Sequence, residues 1–174
     1  VAQRFNSQYS DTFTIPEPYI PDIGSRIMSL QDPFKKMSKS DSNLNNLITL
    51  LDPPDLIRKK LKRAVTDTGS DILYDSENRP GITNLLNLFS GFTGLNMKET
   101  ELNFVGKMYS DLKQDVAEVV IESLKPIQKE YDQIMKDKTY LNSVLIKGRE
   151  KAQSLAFKTL RKVYKKIGFV PIKF

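Results

Sequence analysis

From Leu44 almost to the end of the chain, apolar residues recur at every third or fourth position, and this spacing constrains the fold more than any other feature of the sequence. Segments of that period bury their apolar sides by packing as helices on one another. The prediction is therefore a mainly α protein in which residues 46–174 form a helical bundle. Asp52-Pro53-Pro54-Asp55 opens one helix, with Asp52 as the cap and proline where no backbone donor is needed. Ile57, Leu61, Ala64 and Val65 are assigned to its inner face, and Arg58, Lys59, Lys60, Lys62 and Arg63 to a basic outer face. Arg79-Pro80-Gly81 is a break, after which Ile82, Leu85, Leu86 and Phe89 begin a second helix closed by Gly91 and Gly94. Asn96 and Glu99 have the spacing of a capping box. A longer helix should start near Ser110, bury Val116, Val120, Leu124, Ile127, Tyr131 and Ile134, and kink or break at Pro126.

The last predicted helix, from about Leu141 to Ile167, carries an apolar stripe that includes Leu145, Leu155, Leu160 and Val163. Its other positions are strongly basic, with Lys147, Arg149, Lys151, Lys158, Arg161, Lys162, Lys165 and Lys166 set against Glu150. Such a face suits either water or RNA. Tyr109, Tyr131, Tyr140 and Tyr164 could stack on bases, but at helical spacing they read first as core or boundary residues.

Residues 1–45 follow another pattern. Pro16, Pro18, Pro21 and Gly24 exclude a helix interior, and Arg26-Ile27-Met28-Ser29-Leu30 reads as a short strand that Asp32-Pro33 ends. The chain opens on Val1 and a helix-like phrase, Ala2-Gln3-Arg4-Phe5-Asn6, so further sequence is expected upstream.

Cysteine and histidine are both absent, which removes disulfides, thiol nucleophiles, zinc–thiolate sites and imidazole acid–base chemistry. Asp67 and Asp75 read as cap and turn residues, and no metal site is expected. A net charge of +6 favours polyanionic partners. No apolar run approaches the roughly 18 residues that cross a bilayer, and the start does not read as a signal peptide, so a cytoplasmic protein is expected.

Between the strand-like segment and the helices lies Lys35-Lys36-Met37-Ser38-Lys39-Ser40-Asp41, which contains the string KMSKS. This string resembles the second signature of class I aminoacyl-tRNA synthetases. In order along the chain, Gly24-Ser25-Arg26-Ile27-Met28-Ser29-Leu30, Lys62-Arg63-Ala64-Val65-Thr66-Asp67, Tyr74-Asp75, Pro80-Gly81-Ile82-Thr83-Asn84-Leu85-Leu86 and Gly106-Lys107-Met108-Tyr109 are similar to phrases of the bacterial tryptophanyl enzymes. Tyrosyl enzymes, the nearest relatives, typically differ in the loop and lack the Ala-Val-Thr-Asp phrase. Ser110 departs from the pattern, where glycine would be expected after Met108-Tyr109.

Activation of an amino acid by ATP expels pyrophosphate, so negative charge gathers on the leaving phosphates in the transition state. Lysine offers a mobile point charge that can follow it. Lys36 and Lys39 are the candidates for this role, with Ser38 and Ser40 as hydroxyl donors in a loop small enough to close as a lid.

The resemblance implies that Ile27 contributes to the adenine site and that Lys36, Met37, Ser38, Lys39 and Ser40 contact ATP, which is used with Mg2+. It implies that residues 1–45 are the C-terminal remnant of a Rossmann-type α/β nucleotide-binding domain. Residues 46–174 would be a tRNA anticodon-binding region whose last helix can pack back on the catalytic domain. The intact protein would be a homodimer that joins L-tryptophan to tRNA(Trp), with the tryptophan pocket upstream of Val1, and the 174 residues alone would be inactive. A non-enzymatic helical RNA-binding module is the alternative.

Overall fold

The computed structural model describes residues 1–20 and 24–170, so Pro21 of the predicted proline-rich stretch lies outside the described residues. Six α-helices follow in order: α1 Ala2–Tyr9, α2 Pro54–Lys62, α3 Pro80–Thr93, α4 Met97–Asn103, α5 Tyr109–Lys136 and α6 Lys138–Ile167, with a 3-10 turn at Leu44–Asn46. They belong to two compact units, Ile20–Tyr131 and Val1–Tyr19 with Asp132–Phe174.

The unit Ile20–Tyr131 holds the hydrophobic core. Ile57 and Leu61 of α2, Ile82, Leu85, Leu86 and Phe89 of α3, and Leu112, Val116, Val120 and Leu124 of α5 are buried together. Phe89 meets Phe104 edge to face at a centroid distance of 4.9 Å. Local sequence sets the helix boundaries. Pro54 and Pro80 stand in the first turns of α2 and α3, where the missing N–H costs nothing. Gly94 ends α3 in the left-handed conformation, with φ 76°. Asn96 and Glu99 form the reciprocal capping box of α4. Gly81 has a packing reason as well as a punctuating one. A Cβ at this position would lie 2.3 Å from the Val65 carbonyl oxygen, so a residue with no side chain lets α3 approach that backbone.

Several expectations need correction. Lys60 is buried, only 3% exposed, whereas the helical wheel puts it among the outer lysines. Its Nζ donates to Asp52 Oδ2 at 2.5 Å and to the Leu47 carbonyl at 2.9 Å. Asp52 therefore does not cap α2. Its carboxylate also accepts from the Thr49 N–H and hydroxyl, and Pro53 occupies the cap position with no side-chain bond. Burial opposes ionisation of Asp52, but the Lys60 ammonium and the Thr49 donors outweigh it and hold the carboxyl below its usual range. Val65 is exposed, because α2 stops at Lys62 and only Ala64 of the next residues turns inward.

Pro126 does not interrupt α5, which is a single helix from Tyr109 to Lys136. Proline there removes one backbone donor on an exposed face, where water can satisfy the freed carbonyl. Ile127 and Tyr131 of the predicted buried stripe are exposed. Ser110 lies inside α5, and the left-handed residue of the preceding turn is Gly106, with φ 74°, so no glycine is needed at position 110.

The unit Val1–Tyr19 with Asp132–Phe174 contains α1 and α6, and no residue of either helix is buried. Phe5 contacts the rings of Tyr9 and Phe13. The Asn6 side chain accepts from the N–H groups of Thr12 and Phe13 and donates to the Phe13 carbonyl. Lys166 Nζ donates to the Asp11 carbonyl and the Thr12 hydroxyl. Asp137 caps α6 by accepting from the Tyr140 N–H at 2.9 Å, which starts the helix nearly a turn before the predicted Leu141. The apolar stripe of α6 exists, but Leu145 and Leu155 are exposed along it.

Candidate active site

No strand is present among the described residues. The predicted strand Arg26–Leu30 is reduced to one antiparallel bridge, Met28 with Lys36. Its backbone is nevertheless used as a strand's would be, with alternate residues facing opposite edges. On one edge the Ser29 N–H donates to the Lys35 carbonyl at 2.8 Å, and the Met37 N–H donates to the Ile27 carbonyl at 3.0 Å. On the other edge an amide side chain stands in for a neighbouring strand. Asn84 Oδ1 accepts from the Met28 N–H at 2.8 Å, and Asn84 Nδ2 donates to the Met28 carbonyl at 2.9 Å. Leu30 continues that edge, donating to the Asn46 carbonyl and accepting from the Val65 N–H. Each partner supplies too few consecutive residues for a ladder, which is why the strand is not completed.

This arrangement places the predicted residues. Ile27 and Met37 are joined by the backbone bond, and both are half-buried against the core. The Lys36 side chain is exposed beside the bridge, and Lys39, also exposed, occupies the following turn. Neither lysine has an ion-pair partner among the described residues, whereas Lys35 pairs with Asp32 at 3.1 Å. The hydroxyls of Ser38 and Ser40 lie 3.2 Å apart, and the Asp41 N–H donates to the Ser38 carbonyl. Ile27, Lys36, Met37, Ser38, Lys39 and Ser40 thus belong to one continuous patch around the bridge and the turn after it.

Behind the loop, Asp41 anchors the 3-10 turn. It accepts from the Asn43 N–H at 2.9 Å and from Asn46 Nδ2 at 2.8 Å. The Asn46 amide and then the Asn43 N–H hold its carboxyl below the usual range. The segment from Leu47 to Asp52 is tied down by Lys60, as described above, and by Gln128, whose amide donates to the carbonyls of Leu50 and Asp52. Ile27, Met37, Ile48, Leu88, Phe92 and Leu124 line an apolar cavity of about 260 Å3 beneath the loop.

Sequence reasoning missed Asn84, Lys60 and Gln128 as supports of the loop. The first lies in a quoted family phrase that carries no role of its own. A lone amide amid the apolar Ile82, Leu85 and Leu86 is the signal that could have marked it, since a buried amide needs partners. Asp75 serves a turn, accepting from the N–H groups of Glu77 and Asn78. Asp67 accepts from the Gly69 N–H and, at 2.5 Å, from the Tyr109 hydroxyl. Burial and then Asp67 push the Tyr109 hydroxyl up to about 12. Tyr109 is thus a packing residue here, consistent with the core reading of that tyrosine.

A short loop that carries unpaired lysines and serine hydroxyls above a helical core is an arrangement suited to phosphate groups. Residues 1–125 match the family of tRNA synthetases class I (W and Y), and the chain belongs to that family. It is 48% identical over 170 residues to the tryptophan–tRNA ligase of Clostridium acetobutylicum, covering 98% of this chain and 50% of the relative. It is 50% identical over 168 residues to that of Listeria monocytogenes, covering 97% of this chain and 50% of the relative. A crystal structure of tryptophanyl-tRNA synthetase from Mycoplasma pneumoniae superposes with a TM-score of 0.87 at 31% identity, covering 97% of this chain and 51% of that one. The chain spans about half the length of the curated relatives it matches. These matches disfavour a stand-alone RNA-binding module.

Proposed function

We propose that this chain is part of a tryptophan–tRNA ligase, which activates L-tryptophan with ATP to tryptophanyl-adenylate and transfers it to tRNA(Trp). The observation that carries this reading is the loop itself. Lys36 and Lys39 project without ion-pair partners among the described residues from a segment held at one end by Ile27 and Ser29 and at the other by the bonds of Asp41 to the 3-10 turn. The tryptophan carboxylate attacks the α-phosphorus of ATP, and the bond to the bridging oxygen of pyrophosphate breaks. The two ammonium groups meet the charge that develops on the departing phosphates. Ser38 and Ser40 donate hydroxyl hydrogen bonds to phosphate oxygens, Met37 fixes the depth of the loop, and Ile27 borders the adenine. Mg2+ would accompany the nucleotide and supply further positive charge against its phosphates. The ammoniums of the loop suit phosphate oxygens and repel a cation, and its hydroxyls can donate to the same oxygens.

Residues 1–45 are read as the end of a Rossmann-type domain and residues 46–174 as the tRNA-binding helical region. The enzyme is read as a cytoplasmic homodimer. Among the described residues no helix is long and apolar enough to cross a membrane. The rest of the relatives' length is needed for activity, so the 174 residues alone are expected to give no ATP–pyrophosphate exchange.

The test is tryptophan-dependent ATP–pyrophosphate exchange by the full-length protein and its Lys36→Ala and Lys39→Ala variants. A fall of about a hundredfold or more, on the order of 2.7 kcal/mol of transition-state stabilisation, is expected for at least one variant with tryptophan binding retained. Unchanged exchange in both would overturn the reading.

A further inference from the structure

Helix α3 meets the extended segment before the loop, and its neighbour, at two places one turn apart. At Gly81 the absent side chain lets the helix come against the Val65 backbone, where a Cβ would lie 2.3 Å from the carbonyl oxygen. The Val65 N–H in turn donates to the Leu30 carbonyl at 2.8 Å. At Asn84, three residues on and so on the same strip of the helix, a side chain in a residue only 3% exposed holds Met28. Its Oδ1 accepts the Met28 N–H at 2.8 Å and its Nδ2 donates to the Met28 carbonyl at 2.9 Å.

Met28 is the residue on which the loop hangs. Both bonds to the loop come from its neighbours, with the Ile27 carbonyl accepting from Met37 and the Ser29 N–H donating to Lys35. Lys36 lies opposite Met28 across the antiparallel bridge. Asn84, Met28 and Lys36 therefore stand in line across the segment. A slip or rotation at Met28 moves both loop bonds at once, and Lys36 and Ile27 with them. A carboxamide suits this place because it presents a donor and an acceptor in one plane, as a strand's peptide does. Leucine would fill the space and leave both Met28 groups unpaired, and aspartate would set an oxygen against the Met28 carbonyl.

We propose that Asn84 is a positioning residue for amino-acid activation: through Met28 it sets where Lys36 stands against the departing phosphates and where Ile27 borders the adenine. That role rests on the ligase reading above and adds to it a buried residue that acts through the backbone. Its signature differs from that of a group that only stabilises the fold. A loss of stability removes active molecules and lowers kcat, but the molecules that remain keep their Michaelis constants. A displaced loop changes kcat and KM for ATP together, because the ammonium groups no longer stand where the phosphates need them. A misplacement of about 1 Å can cost about a hundredfold in rate.

The test measures tryptophan-dependent ATP–pyrophosphate exchange and amide hydrogen exchange in the full-length protein, unsubstituted and as Asn84→Leu and Asn84→Asp. Both variants should lower kcat about tenfold or more and raise KM for ATP about threefold or more, with KM for tryptophan held within about twofold. Without nucleotide, the Ser29 and Met37 amides should exchange about tenfold faster in Asn84→Leu. Phe104→Leu, which removes the ring contact with Phe89, is the reference for a destabilised core and should change neither KM nor those two amides. Unchanged kcat, KM for ATP and amide exchange in Asn84→Leu, or the same changes in Phe104→Leu, would overturn the inference. If Asn84→Leu does not fold, Asn84→Asp carries the comparison, since it keeps the shape and one of the two bonds, and unaltered kinetics in it would overturn the inference as well. Absence of pyrophosphate exchange in the unsubstituted protein would remove the ligase reading, while hydrogen exchange still decides whether Asn84 holds the loop.

Discussion

The two compact units carry helices of similar amphipathic sequence, yet only one of them converts its apolar stripes into a core. In Ile20–Tyr131 the spacing of Ile57 with Leu61, or of Val116 with Val120 and Leu124, ends in side chains almost fully removed from water. In α6, the longest helix, the same kind of spacing leaves Leu155 59% exposed. Helical period therefore reports that a helix has an apolar side, and a partner surface decides whether that side is buried. The α1–α6 unit relies instead on ring contacts and on a few bonds from Asn6 and Lys166 to backbone and hydroxyl oxygens.

The sharpest way to probe this contrast is to remove the buried cation of the first unit. Lys60→Met leaves Asp52 buried without its ammonium and should cost about 3–5 kcal/mol, read as a lowered urea midpoint. The same pair gives a pH signature. The carboxyl of Asp52 is depressed in the folded state, so its contribution is present above the unfolded value near 3.8 and is lost as pH falls through the lower folded value. Acid unfolding of the unsubstituted protein should show this loss below about pH 4, and the Asp52→Asn/Lys60→Met protein should lack it.

The next effect compares the units directly. Leu61→Ala, at a fully buried site, should lose about 2–5 kcal/mol, whereas Leu155→Ala should change stability by less than about 0.5 kcal/mol. Equal losses in denaturant titrations would mean that the α6 stripe is covered in solution, and the contrast would fail. A smaller change is expected from Asn96→Ala, which removes one half of the capping box and should cost about 1 kcal/mol. A melting temperature unaltered by that substitution would show that α4 is held by packing alone.

Much of the first unit was legible because its signals are local. Prolines at the helix starts, Gly94 at a stop, and the Asn96/Glu99 pair all act within a few residues of where they stand. The candidate loop stood out for a different reason, as a five-residue string that resembles a family signature, which phosphate chemistry then rationalises. Lys60 was not, because a helical wheel assigns lysine to solvent, and the acid that permits its burial sits eight residues earlier, just ahead of the start of α2. The strand was overread for a related cause. Apolar residues in Arg26–Leu30 describe the segment itself, while a ladder also needs neighbours, and Asn84 supplied only a side chain's length of one.

The single bridge beside the loop sets how readily the loop can move. Two backbone hydrogen bonds, Ser29 to Lys35 and Met37 to Ile27, connect it to the extended segment, and each contributes about 0.5–1.5 kcal/mol net in water. Releasing both costs about 1–3 kcal/mol, which places the released loop between about 0.6% and about 16% of molecules, the scale of a minor state. Because Asn84 and Val65 grip the opposite edge, the loop can swing away while Met28 and Leu30 stay fixed. On the proposed reading of the loop, the bridge would work as a latch that thermal motion opens and that a bound phosphate chain would hold shut.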